Sequence, residues 1–180
     1  MIMNINTIVD TILPFIAFIS KKTFIENQLD KIVNIYDALN TLTSNPNVHR
    51  AVVIKIENSG GLINSSTPLY SSVLQEEYKF PVKSIKQNFQ RVLVDQQYIK
   101  IIIDAVKNKY TKIQIDRLSD SLLKYIYKAD NIQYSEVHFL KANKKAVYFL
   151  SIATINESFN EDSELTLNIN LAVNKIKNNL

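Results

Sequence analysis

Two apolar segments separated by six residues constrain this chain more than any other feature. Ile132-Gln133-Tyr134-Ser135-Glu136-Val137-His138-Phe139-Leu140 alternates between apolar and polar over much of its length. Val147-Tyr148-Phe149-Leu150-Ser151-Ile152-Ala153 is almost continuously apolar. Alternation marks a half-buried strand, and a short unbroken apolar run fits a strand covered on both faces. Lys141-Ala142-Asn143-Lys144-Lys145 lies between them as a hairpin loop, so the pair predicts an antiparallel sheet. Ala51-Val52-Val53-Ile54-Lys55-Ile56-Glu57 is β-branched and reads as a further buried strand. Residues 69–74 and 112–116 read as strands, 89–94 as a strand or extended connection, and 78–85, with Pro81, as irregular.

Helical stripes flank this sheet. Ile25, Leu29, Ile32, Tyr36 and Leu39 recur at 4-3-4-3 spacing and predict a helix over 23–43. That stripe fits either a helix packed on its own domain or a dimer or partner seam. Asp95 is a plausible N-cap for a helix from 96 to about 109, and Ser119 or Asp120 for one carrying Leu122, Leu123, Ile126 and Tyr127. The tract from Leu165 alternates as a strand would, yet Leu165, Ile169, Ala172, Val173, Ile176 and Leu180 also trace one helical face. Its length favours a helix, as do Glu161, Asp162 and Glu164 at its start. The expected fold class is α+β: a central antiparallel sheet with the N- and C-terminal helices packed together on one face.

The first 22 residues form an arm ahead of a single domain over 23–180. Ile12-Leu13-Pro14-Phe15-Ile16-Ala17-Phe18-Ile19 is followed by Ser20-Lys21-Lys22. This run falls short of the roughly 20 apolar residues of a membrane span. No basic residue precedes it and no small-x-small site follows, so it does not read as a secretory signal. Ile12, Leu13, Phe15, Ile16, Phe18 and Ile19 are expected to pack on the domain or on a second copy, to lie at a membrane interface, or to dock on another protein. Pro14 suits a first helical turn and would kink a longer helix.

Composition removes several chemistries. No Cys means no disulfide, thiolate zinc site or cysteine nucleophile, and two His leave few ways to hold a metal. The two glycines, Gly60 and Gly61, are adjacent, which excludes G-x-G-x-x-G and the P-loop. The net charge of +4 rests on 21 basic residues, of which only Arg50, Arg91 and Arg117 are arginines. The lysines are dispersed, with Lys100, Lys107, Lys109 and Lys112 the nearest to a patch, which argues against a nucleic-acid partner.

Residues 134–177 resemble a GAF domain. In that family a hairpin of two long strands leads through a loop with Phe and acidic residues into a closing helix. Here Tyr134 to Phe139, Lys141 to Lys145, Ala146 to Thr154, Phe159-Asn160-Glu161-Asp162-Ser163-Glu164 and Leu165 onward stand in that order. Residues 24–57 would supply the opening helix and first strand, and PAS domains are the near neighbours. The resemblance implies a sensory or interaction module. Asn156, Phe159 and Glu164 match the cyclic-nucleotide signature of the family, but Glu157 and Ser163 replace its Lys and Asp. The bilin, haem and sulfoxide-reductase members rely on Cys or His positions for which this chain offers no counterpart, so no cofactor is expected. Glu57 to Gly61 and Thr67 to Leu74 also look like small GAF-like proteins of bacteriophages and prophages, which are often preceded by a short hydrophobic segment.

The Asn58-Ser59-Gly60-Gly61 turn is the most informative local feature, either a tight turn needing positive φ or a place of close backbone approach to a ligand or neighbour. Tyr70, Tyr98, Tyr134 and Tyr148 are candidates for lining a pocket between sheet and helices. The hydroxyls from Ser59 to Ser72 lack a local base. Neither Asp104 with Asp116 nor Glu76 with Glu77 has spacing that makes a cleft. His138 reads as a surface or satisfied histidine. The expectation is a non-catalytic GAF-like module, a homo-oligomer or the partner of another protein or small ligand, residing in the cytoplasm. The alternatives are a membrane-associated phage lysis or host-takeover protein anchored by residues 8–20, and a virion component docked by its arm.

Overall fold

The computed structural model describes residues 5–59, 61–159 and 163–180, with side chains from residue 20 onward. The β-branched segment becomes β1 (Arg50–Asn58), and the hairpin becomes β5 (Tyr134–Ala142) and β6 (Ala146–Thr154). With β2 (Leu69–Tyr78), β3 (Val92–Leu93) and β4 (Tyr110–Gln114) they form one six-stranded antiparallel sheet in the order β3-β2-β1-β6-β5-β4. The two most apolar strands, β1 and β6, pair at its centre, with Val53 opposite Leu150. Register shifts between Val53 and Ile54 and between Phe139 and Lys141 leave Leu74 and Leu140 without a direct partner. Both leucines pack on the same face of the sheet.

That face is covered by α1 (Ile5–Ser44) and α4 (Ser163–Asn179). Ile35, Ala38, Leu39 and Leu42 of α1 meet Leu165, Ile169, Ala172 and Ile176 of α4 over Ala51, Val53, Leu150 and Ile152. The helices run antiparallel: Asn34 donates to Asn179 at 3.4 Å and Lys175 pairs with Asp37 at 3.4 Å. The opposite face is covered by α2 (Gln96–Asn108), α3 (Leu122–Ala129) and the connection before α2. Tyr98, Ile101, Ala105, Leu123, Tyr127 and Phe89 pack there on Val52, Ile54, Ile56, Val73 and Phe149. Burial on both faces explains why β1 and β6 lack strict alternation.

The α+β architecture with terminal helices together on one face is as expected, and the inserted helices add a layer on the other. Several local expectations are corrected. Helix α1 begins at Ile5 rather than near 23 and contains Pro14 in its interior. Asp95 caps α2, accepting from the Tyr98 N–H at 2.8 Å, but α3 is capped by Ser121, not Ser119 or Asp120. Ser121 is the residue whose hydroxyl reaches the Lys124 N–H, at 3.2 Å. The 89–94 segment pairs only at β3, where Val92 and Leu93 meet Ser71 and Tyr70. Ten residues separate β1 from β2 rather than the roughly two to four of a tight turn, and Gly61 does not adopt a left-handed φ. Gly60 lies outside the described residues.

Arg50 is 1% exposed and ties four segments together. Its Nη2 donates to the Lys83 carbonyl at 2.7 Å and pairs with Asp130 at the end of α3, while its Nε lies 3.5 Å from Glu76 of β2. Glu76 also accepts from Ser84 Oγ at 2.6 Å and from the N–H groups of Ile85 and Lys86 at 3.0 and 3.1 Å. Breaking such a buried pair strands a charge, so Glu76→Ala should lower stability by about 3–5 kcal/mol in urea unfolding. Replacing the exposed Glu26 by Ala serves as the near-neutral control.

His49 closes the turn from α1 into β1. Its ring Nδ1 lies 3.2 Å from Thr154 Oγ1, and its N–H donates to Ala153 at 2.8 Å. Burial and the nearby Lys79 charge hold its pKa below the ordinary histidine value, against a smaller upward pull from Asn47. The unfolded chain therefore binds the proton more readily, and stability falls as the pH drops through about 6.5. The loss levels off below the folded pKa. A melting-temperature series should show this component in the wild type and lose it in His49→Asn.

Candidate functional site

The alternation of β5 places Tyr134, Glu136 and His138 on the face that carries α4, and Ser135, Val137 and Phe139 on the other. Cross-strand pairing with β4 sets Tyr110 opposite His138, Lys112 opposite Glu136 and Gln114 opposite Tyr134. Helix α4 packs on β5 around Leu140 but leaves the outer strand β4 uncovered. A cavity of about 580 Å³ opens between them, lined by Tyr110, Lys112, Glu136, His138, Phe159, Val173 and Lys177 among others. That size is within the roughly 300–1,000 Å³ of small-molecule sites.

The polar wall of the cavity is a connected set. Tyr134 OH donates to Glu136 Oε1 at 2.8 Å, and His138 Nε2 meets Glu136 Oε2 at 3.2 Å. Tyr110 stacks on the His138 ring with centroids 5.3 Å apart and planes 12° from parallel. Phe159 meets Tyr134 edge-on at 5.2 Å. Burial pushes the Glu136 carboxyl up, but the hydrogen bonds from His138 and Tyr134 and the charges of His138 and Lys112 outweigh it and leave its pKa below the usual range. Burial and the adjacent carboxylate push the Tyr134 hydroxyl upward. Glu136 is thus held as an anion and Tyr134 as a neutral donor. The arrangement suits orientation of a bound group. Among the described residues no group of three His, Asp or Glu side chains could hold a metal ion.

The four tyrosines expected to share a pocket do not. Tyr98 is buried on the α2 side, with its hydroxyl 3.2 Å from Ser71 Oγ. Tyr70 pairs with Glu57 and lies under the Arg91 guanidinium at 5.0 Å. Tyr134 and Tyr148 stand at opposite ends of the β5–β6 hairpin, since Tyr134 pairs with Thr154 and Tyr148 with Lys141. Tyr148 joins Asn58 and Gly61 in a second, shallower groove of about 480 Å³, together with Lys55, Glu57 and Lys144. Asn58 is buried and donates to Leu62 and Thr67, while Ser59 is exposed and within 3.4 Å of Arg91.

In the helical stripe, Leu39 is fully buried in the domain's own core and Tyr36 half-buried, whereas Ile25, Leu29 and Ile32 are exposed. The side chains of Ile12, Leu13, Phe15, Ile16, Phe18 and Ile19 lie outside the described residues. Of the paired carboxylates, Glu76 is committed to Arg50, and Asp104 and Asp116 are exposed. His138 was expected at the surface or satisfied. It is satisfied by Glu136, yet it also lines the cavity beside α4. The 134/136/138 alternation signals that these side chains share a face. The β4 register that adds Tyr110 and Lys112 has no local signal.

No family model matches the chain, and no curated protein sequence does. Solved structures do resemble it. A GAF domain region from Geobacter sulfurreducens PCA superposes with a TM-score of 0.55 at 17% identity, covering 86% of this chain and 96% of that one. A far-red cyanobacteriochrome photoreceptor gives 0.57 at 13% identity, covering 90% and 94%. The GAF domain of a two-component sensor histidine kinase from Bacillus halodurans gives 0.55 at 12% identity, covering 83% and 90%. At these identities the likeness shows the fold, which is GAF-like.

Proposed function

We propose that this chain is a non-catalytic interaction and sensory module whose output is association through α1. The carrying observation is the exposed part of that helix. At 40 residues α1 is about 60 Å long, and among its described side chains, from residue 20 onward, the first buried one is Ile35. Phe24, Ile25, Leu29, Ile32 and Val33 are exposed, with Phe24 63% and Leu29 55% accessible. A helix without tertiary cover is marginal in water, so this stretch calls for a partner. Ile25, Leu29 and Ile32 keep coiled-coil spacing, which favours the matching stripe of a second copy. The sensory part of the reading is supported by the GAF-like fold of the similar sensor domains and by the cavity beside α4.

In this reading the domain spans 23–180 and residues 1–22 form an arm, of which residues from Ile5 on belong to α1. A bacterial or bacteriophage setting belongs to the same proposal. Lys21 and Lys22, exposed directly after the apolar run, would favour a membrane surface for the arm, although among the described residues no helix is long and apolar enough to cross a membrane. A virion neighbour is the third occupant of the arm.

Sedimentation velocity at micromolar concentration tests the seam. The wild type should dimerise, and Ile32→Asp should weaken dimerisation by about tenfold or more with an unchanged thermal midpoint. A monomeric wild type removes the self-association reading. Flotation with anionic liposomes, comparing the full chain with one lacking residues 1–22, tests the membrane alternative.

A further inference from the structure

From the cavity between α4 and the outer strands we infer a binding site for a free amphipathic anion, a small carboxylate with an apolar tail. The inference deepens the sensory part of the proposed function and rests on that part, not on the dimer seam. Two halves of the cavity carry it.

The floor is apolar: Leu140, Leu165, Ile169 and Val173 come from the bulge of β5 and one flank of α4, with Phe159 beside them. The mouth is basic. Lys109 and Lys112 reach it from β4 and its approach, and Lys177 from α4, so cations stand on both banks. Glu136 is the one acidic residue among the described lining residues; its oxygens are engaged by Tyr134 and His138, and Lys112 Nζ stands 4.0 Å from it, which leaves Lys109 and Lys177 as the cations with no acid among the described lining residues. Among the described lining residues the charge presented to a ligand is therefore net positive at the rim, while the volume behind it takes an acyl or aryl tail. A cationic amphiphile meets repulsion at that rim, and a neutral one gains only the floor. The stacked Tyr110–His138 pair supplies a flat wall along which the headgroup end can lie.

The site lies on the α1–α4 face of the sheet. The opposite face, between sheet and α2, is filled by Phe89, Tyr98, Tyr127 and Phe149. A ligand of the cavity thus contacts α4 directly.

The test uses the full chain and three probes of equal tail: decanoate, decanol and decylammonium, each below its micellar range. Binding is followed by isothermal titration and by the tyrosine and histidine ring signals in NMR. Decanoate should bind saturably, perturb His138 and Tyr110, and exceed decylammonium by about tenfold or more. Asn170→Trp, at an exposed α4 position on the cavity wall, should plug the site and abolish binding with an unchanged melting temperature. Lys112→Glu with Lys177→Glu should reverse the preference between decanoate and decylammonium. Equal binding of the two charged probes overturns the inference. So does decanoate binding that survives Asn170→Trp, or association only with phosphatidylglycerol vesicles. Because these measurements do not depend on dimerisation, a monomeric chain that still binds decanoate would separate failure of the seam from failure of the site.

Discussion

Arg50 joins parts of the chain that otherwise have little reason to meet. It opens β1, receives Glu76 from β2, holds the Lys83 carbonyl of the connection after β2, and pairs with Asp130 where α3 ends. Its Nε and Nη1 find no hydrogen-bond acceptor among the described residues, so the ion pairs compensate much of its charge. Such a cluster adds little net stability over an apolar filling, because desolvation offsets most of the attraction. Its contribution is positional. The Glu76 carboxylate collects the backbone N–H groups of Ile85 and Lys86 and fixes a segment that has no strand or helix of its own. That segment leads through Phe89 into the core under α2.

With the α2 face filled in this way, the cavity lies on the other side of the sheet. The terminal helices pack over the central strands, where Val53, Leu150 and Ile152 need cover. A 17-residue helix reaching from Ser163 back along α1 cannot also cover β4. The cavity is a consequence of that geometry. Its chemistry then follows from the period-2 alternation of β5, which turns Glu136 and His138 toward the gap and sets Tyr134 on the same face as the donor to Glu136.

What could be read from the residues separates along the same lines. The hairpin, the capped α2 and the helical reading of the tract from Leu165 were legible because each is fixed by local pattern. The polar set of the cavity was only half legible. Tyr134 stood out as an aromatic and His138 as a histidine on a strand, but the register that stacks Tyr110 on His138 joins residues far apart in sequence. The tyrosine pocket failed as an expectation for a related reason: residue type says nothing about which end of a hairpin a side chain occupies. Leu39 fits the heptad spacing of Ile25, Leu29 and Ile32 and is nonetheless core, since the same stripe changes surroundings where α4 begins to cover it.

Helix α4 is where the two proposed activities touch. Leu165, Ile169, Ala172 and Ile176 lock it into the core, Lys175 and Asn179 hold α1, and Asn170, Val173 and Lys177 face the cavity. Three stripes of one short helix thus serve the core, the neighbouring helix and the pocket. A packed helix moves as a unit, because its buried side chains interdigitate rather than flow. A ligand that prefers one placement of α4 therefore changes the α1–α4 packing by the same free energy with which that packing changes ligand affinity. The exposed stripe of α1 begins within one turn of the Asn34–Asn179 contact. On the proposed reading, occupancy of the cavity and pairing along α1 would meet on this one helix.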